Sequence, residues 1–227
     1  MDQEIYLKKG ISYFINPRLD LISLMPTDSF QKVLEIGMGG GDTLVYIKRN
    51  KLASEVVGVD LVELPDSNQH NSLIDKTYFF NVETEEFPFE KNYFDVIIVG
   101  DILEHLIDPL KVLKKLAQVL KPHGLILISI PNIRDIKAIY SILMKGRFQY
   151  TTEGIFDKTH LRFFCKKDMI DLIKSVDEFT ILKIFPIQEI ASNSPNRKLF
   201  NKLTFRIFEQ FLSSQYIFIA KKNSQTS

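Results

Sequence analysis

Val33-Leu34-Glu35-Ile36-Gly37-Met38-Gly39-Gly40-Gly41 is the stretch on which the fold turns. Val33 to Ile36 is short and mostly apolar with β-branched residues, so it reads as a buried strand. Four of the next five residues are glycines. Asp42 and Thr43 then offer caps for a helix over Leu44–Asn50. A strand that passes through glycines into a helix N-terminus makes a pocket where backbone meets ligand. Glycine permits the sharp turn and removes the side chain that would block approach. The helix N-terminus adds unpaired N–H groups and partial positive charge. A dinucleotide fingerprint would want G-x-G-x-x-G, but here the sixth position is Asp42. A tight turn with no ligand is the bland alternative.

Working outward, Glu55-Val56-Val57-Gly58-Val59-Asp60 is a second apolar strand that ends in a carboxylate. Such a carboxylate at a strand tip can accept from both ribose hydroxyls. Thr77–Val82 is a third strand and contains Asn81. Val96–Val99 is a fourth, apolar throughout and so covered on both faces. It exits into Gly100-Asp101-Ile102-Leu103-Glu104-His105. A helix follows over Pro109–Leu120, started by proline, with Leu110, Leu113, Leu116, Ala117 and Leu120 as its apolar stripe. Lys121-Pro122-His123-Gly124 stops it, and Leu125–Ile130 is the fifth strand. Strands alternating with helices predict an α/β fold with a doubly wound, mostly parallel sheet. Ligands of such sheets sit beyond the strand C-termini. Gly37 to Gly41, Asp60, Asn81 and Gly100 to His105 all fall at those ends.

Residues 1–30 read as an N-terminal helical cap, with a short helix over Arg18–Met25. Residues 31–222 form a single domain with insertions at 133–164 and 187–213, and 223–227 is a polar tail. Ile133–Phe148 reads as a basic helix. A polar and aromatic loop follows, running through Asp157, His160 and Arg162 to Phe164, then a helix over Lys167–Ser175. The sixth strand is Phe179–Phe185, the last Gln215–Lys221, with an amphipathic basic helix over Pro195–Leu212 between them.

Glu35 ahead of the glycine turn resembles motif I of the class I S-adenosylmethionine-dependent methyltransferases. The run F-D-x-x-x-x-x-D-x-L-E-H from Phe94 to His105, then L-K-P-x-G from Leu120, then P-N at Pro131, also resembles that family, as does H-L-R-F-F at 160–164. The resemblance implies a Rossmann-like seven-stranded sheet closed by an antiparallel C-terminal hairpin. It implies S-adenosylmethionine as cofactor, held by Glu35, Gly37, Gly39, Gly41, Asp60, Leu61, Asn81, Val82 and Gly100. Asn81 stands where the family commonly carries Asp for the adenine amino group. Tyr6, Tyr13 and Arg18 are candidates at the amino-acid end.

Methyl transfer to a hydroxyl needs alignment and removal of a proton. His105 and His160 are candidate bases, since imidazole titrates near working pH. Asp157 is a candidate to orient a histidine or the acceptor. Alternatively, Asp101, Glu104 and His105, at i, i+3 and i+4 of a helical turn, join His160 around a divalent metal. This arrangement resembles the small-RNA 2′-O-methyltransferases and ubiquinone-pathway O-methyltransferases. Mixed carboxylate and histidine ligands suit Mn²⁺, Fe²⁺ or Zn²⁺ better than Mg²⁺. The third reading gives Glu104 and His105 only a bracing role.

The expected reaction is O-methylation of a sugar, glycan precursor, lipid-linked intermediate or other small metabolite. The competing functions are a nicotinamide-dependent oxidoreductase, which Asp42 disfavours, and a non-catalytic binding protein built on the cofactor fold. A net charge of +1 argues against a general nucleic-acid partner. Cys165 is the single cysteine, so no internal disulfide forms. Met1-Asp2-Gln3-Glu4 lacks the basic and apolar regions of a signal peptide, and no apolar run reaches bilayer length. A cytoplasmic protein is the expectation.

Overall fold

The structure, a computed structural model, describes residues 16–187, 203–204 and 208–224. Tyr6, Tyr13 and most of the Pro195–Leu212 helix lie outside those residues.

Strand β1 spans Lys32–Ile36, and its Cα partners are those of β2 (Glu55–Asp60) on one side and β4 (Phe94–Gly100) on the other, all parallel. β3 (Lys76–Phe79) pairs with β2, and β5 (Leu120–Pro131) with β4. β7 (Gln215–Lys222) inserts antiparallel between β5 and β6 (Phe179–Ile187). The seven strands run in the order β3-β2-β1-β4-β5-β7-β6. The doubly wound sheet and its antiparallel C-terminal hairpin are as expected.

Side chains alternate across the sheet, and each face takes its own helices. Val33, Val56, Val96, Ile98 and Leu127 bury one face with α1 (Leu19–Ile22) and α2 (Asp42–Arg49). Leu34, Ile36, Val57, Ile97 and Ile128 bury the other with α3 (Pro109–Val119). Asp108 starts α3: its carboxylate accepts from Lys111 N at 3.0 Å, and Pro109 fills the first turn. Val112, Leu113 and Leu116 then face the sheet, each contributing about 1.5–3 kcal/mol on burial. α5 (Lys166–Lys174) sets Met169 and Ile173 into the same core.

Several boundaries differ from expectation. α2 begins at Asp42, and its cap is Gly41 in a left-handed conformation (φ 86°), not the side chain of Asp42 or Thr43. The close approach of the Asn68 backbone, 3.0 Å from where a Cβ would stand, makes glycine the residue that fits there. β3 stops at Phe79, so Asn81 lies just past the strand. β5 starts five residues early: Leu120 pairs with Phe94 and Leu125 with Val96, leaving Lys121–Gly124 as a bulge. The helix expected over Ile133–Phe148 is shorter, α4 at Ile136–Leu143, capped by Asp135. A last short helix, α6, spans Glu209–Leu212. Among the described residues no helix is long and apolar enough to cross a membrane.

Candidate active site

A cavity of about 340 Å³ opens at the C-terminal ends of β1, β2 and β4. The first turn after β1 forms its floor. Gly37 has φ 70°, and a Cβ there would stand 2.0 Å from Ile102 Cδ1. Any side chain would have to displace Ile102, itself a wall of the cavity. Asp60 at the tip of β2 is buried and accepts from Gly39 N at 2.9 Å and Val62 N at 3.1 Å. Burial pushes its carboxyl up to about 6 even against those N–H groups.

Glu35, Gly37, Gly39, Asp60, Leu61, Asn81, Val82 and Gly100 all line this cavity. Gly41 instead shapes the turn behind it as the α2 cap. Asn81 is partly committed: its Oδ1 accepts from Glu83 N at 2.9 Å, which leaves one carbonyl lone pair. Phe80 joins Leu61 and Val82 on the lining, giving this end two-sided apolar character.

The opposite end is charged. Glu35 is buried, its Oε2 without a hydrogen-bond partner among the described residues. Desolvation pushes its carboxyl up to about 8, against the pull of Thr43 and Arg18. Arg18 crosses the mouth. It chelates Asp20 through Nε and Nη2 (3.0 and 2.9 Å) and reaches Asp101 Oδ2 with Nη1 at 2.7 Å. Burial works against the guanidinium charge, but Asp101 and Asp20 outweigh it and hold Arg18 protonated.

This corrects the expected ligand set. Asp101 does not join Glu104 and His105. Helical i, i+3, i+4 spacing fails because Asp101 has φ 56° and the turn after it is a short 3-10 helix, Leu103–His105. The Asp101 carboxylate is spoken for by Arg18, by Ser129 Oγ at 2.8 Å and by Gln215 Nε2.

Glu104, His105 and His160 do come together, each buried, with their ligand atoms all within 4.8 Å of one another. The two imidazoles meet edge to face with centroids 4.7 Å apart. His160 Nε2 lies 3.8 Å from Glu104 Oε1. Each ring has its Nδ1 on a carbonyl: His105 on Thr159 O and His160 on Ile155 O, both at 3.0 Å. A carbonyl only accepts, so Nδ1 carries the hydrogen and Nε2 of the neutral ring carries the lone pair. Among the described residues neither oxygen of Glu104 has a hydrogen-bond partner. Desolvation first, then the negative charge of Asp101, holds its carboxyl well above the usual range. His105 also lines the cavity, so the cluster borders the cofactor-sized space.

The H-L-R-F-F segment delivers His160. Leu161 N and Arg162 N both donate to Glu104 O (2.9 and 3.0 Å), and Arg162 Nε donates to Leu106 O at 3.1 Å. Asp157 is buried and does not face the cavity. Its Oδ1 accepts from Thr159 N at 2.9 Å and Oγ1 at 2.7 Å, and the carbonyl of the same Thr159 faces His105 Nδ1.

Sequence reasoning missed Ser129 and Gln215 as the holders of Asp101, and Thr159 and Ile155 as histidine partners. The Ser129, Gln215 and Thr159 contacts span 28, 114 and 54 residues and carry no local signal, whereas Ile155 lies five residues before His160. Ile102 and Leu106 are cavity walls whose position beside the L-E-H run was a usable clue.

Comparison with known proteins bears on what fills the cavity. A 33% identical relative, the ubiquinone biosynthesis O-methyltransferase of Bartonella tribocorum, aligns over 186 residues, 75% of this chain and 71% of that one. A ubiquinone/menaquinone biosynthesis C-methyltransferase of Vibrio parahaemolyticus is 27% identical over 121 residues, 48% of this chain and 46% of its own. A crystal structure of a SAM-dependent methyltransferase from Archaeoglobus fulgidus superposes with a TM-score of 0.63 at 17% identity, covering 96% of this chain and 97% of that one. A family model described as a methyltransferase domain matches residues 8–177, and with the glycine turn, the buried strand-tip carboxylate and the seven-stranded order already in place, the chain belongs to the class I S-adenosylmethionine-dependent methyltransferases.

Proposed function

We propose that this enzyme transfers the methyl group to a hydroxyl of a small-molecule acceptor, with a divalent cation held by Glu104, His105 and His160. The observation that carries the reading is the Glu104 carboxyl, buried with neither oxygen hydrogen-bonded among the described residues, beside two imidazoles whose Nδ1 atoms are fixed on carbonyls. Burial keeps this carboxyl in its neutral form, with its polar atoms unpaired, and a cation beside it would stabilise the ionised form and give both oxygens a partner. Histidine partners fixed in this way are typical of metal ligands. The donor set suits Mn²⁺, Fe²⁺ or Zn²⁺.

S-adenosylmethionine supplies a methyl group activated by the positive charge on sulfur. Under this reading Asp60 accepts from the ribose hydroxyls, while Leu61, Phe80 and Val82 flank the adenine and Asn81 accepts from its amino group. Glu35 and Gly37 lie toward the amino-acid end. The cation supplies Lewis acidity that lowers the pKa of an acceptor hydroxyl. Ile102 and Leu106 line the cavity beside His105 and make that part of its wall apolar. The bracing and lone-base alternatives leave the bare Glu104 carboxylate unexplained.

The names of the relatives support a small-molecule acceptor and give no support to a sugar or glycan. Turnover with labelled S-adenosylmethionine against phenolic and sugar hydroxyls, with product mapping by mass spectrometry, tests the reading. Methyl on oxygen is expected, with turnover falling about 10²–10⁴-fold in EDTA and in Glu104→Gln. S-adenosylhomocysteine binding should survive both changes. Full activity in EDTA removes the cation, and methyl on carbon overturns the acceptor class.

A further inference from the structure

We propose that the face formed by α4 and the turn after it docks this protein on an anionic lipid bilayer. α4 is inverted relative to an ordinary surface helix. Ala138 is its one buried residue. Ile136, Tyr140, Leu143 and Met144 stand at i, i+4, i+7 and i+8, which is one stripe, and that stripe faces outward. Leu143 and Met144 are 71% and 73% exposed. Phe148 and Tyr150 follow in the chain, are also exposed, and pack edge to face with each other, centroids 5.6 Å apart. Isolated exposed apolar residues need no explanation, but a contiguous stripe marks an interaction surface.

Charge chooses the occupant. From Ile136 to Tyr150 there are three basic residues, Lys137, Lys145 and Arg147, all exposed, and no acidic one. The segment carries +3 while the whole chain carries +1. An apolar stripe flanked by Lys and Arg, with aromatic residues at its edge, matches a surface that is anionic outside and hydrocarbon inside. A second copy of this chain would set like charges against each other on the same face. No helix among the described residues spans a bilayer, so the association is peripheral. The surface is joined to the candidate site through one loop: residues after Tyr150 run to Thr159 and His160.

Vesicle sedimentation of the full chain tests this, independently of the O-methyl reading, which is tested in solution. The wild type should pellet with vesicles of phosphatidylcholine mixed with phosphatidylglycerol and not with phosphatidylcholine alone, and raised salt should release it. Leu143→Glu with Met144→Glu, and separately Lys145→Glu with Arg147→Glu, should each weaken partitioning at least about tenfold. Both pairs should keep S-adenosylhomocysteine affinity, which shows that they fold. No sedimentation of the wild type with anionic vesicles overturns the proposal, as does equal sedimentation of the variants. Light scattering that shows a vesicle-free dimer split by Leu143→Glu with Met144→Glu assigns the face to a second copy and also overturns it.

Discussion

Glu35 shows what one residue can reveal and conceal. Its place in a buried strand two positions before Gly37 was readable, but the groups that face it were not, because Arg18 and Thr43 come from elsewhere in the chain. Burial has a consequence for stability. The carboxyl ionises near 4.5 when solvated and near 8 in the folded protein. Between those values the folded state keeps a proton that the unfolded chain has lost. Stability therefore falls as pH rises through that interval, and the loss is complete above about 8. Glu35→Gln cannot ionise. Its melting temperature relative to wild type, measured without cofactor, should climb from pH 4.5 to about 8 and then level off. A difference that stays flat would mean that Glu35 is charged in the folded protein throughout. Asp101 is the complementary case. Its type and position suggested a metal ligand, and a left-handed backbone turned it to Arg18, 83 residues away in sequence.

At the level of elements, the cofactor half was legible because it is local. A strand, its tip and the next turn are contiguous, so Gly37 and Asp60 could be placed at strand ends from the apolar runs and the glycine turn. Gly37→Ala should abolish measurable S-adenosylhomocysteine binding, since the new Cβ meets Ile102 and the positive φ adds about 1 kcal/mol or more of strain. Adding Ile102→Ala relieves the contact and leaves the strain of the positive φ, so calorimetry on the double variant should recover part of the affinity and not all of it. The reacting half was less legible because it is assembled from two distant segments. The L-E-H turn and the H-L-R-F-F segment meet through hydrogen bonds at Leu161, Arg162 and Thr159 and through the packing of His160 on His105. Asp157 holds that junction without touching the cavity. Asp157→Ala should free the Thr159 carbonyl, misplace His105 and lower turnover about tenfold or more while S-adenosylhomocysteine affinity stays within twofold. Equal losses in both would make Asp157 a general stability residue.

Over the whole molecule the sheet divides the work. Asp60 and Glu35 sit on β2 and β1, whereas Glu104, His105 and His160 follow β4 and β5. The antiparallel β7 locks the second half by placing Gln215 against Asp101, so the C-terminal hairpin, itself expected from the sequence, reaches into the site in a way no motif announces. Two sites on separate strands that share few side chains should stabilise the fold nearly additively. At about a hundredfold over its Kd each ligand adds about 2.7 kcal/mol, or roughly 5–10 °C in Tm for a domain of this size. S-adenosylhomocysteine and Mn²⁺ should therefore each raise the Tm of the wild type, and their shifts should sum. Asp60→Ala should lose the first shift and keep the second. Glu104→Gln should do the reverse, because it leaves the glycine turn intact and removes the one carboxylate of the cluster. If Asp60→Ala erased both shifts, cofactor and cation would be bound as one unit, and the proposed division between the two halves of the sheet would fail.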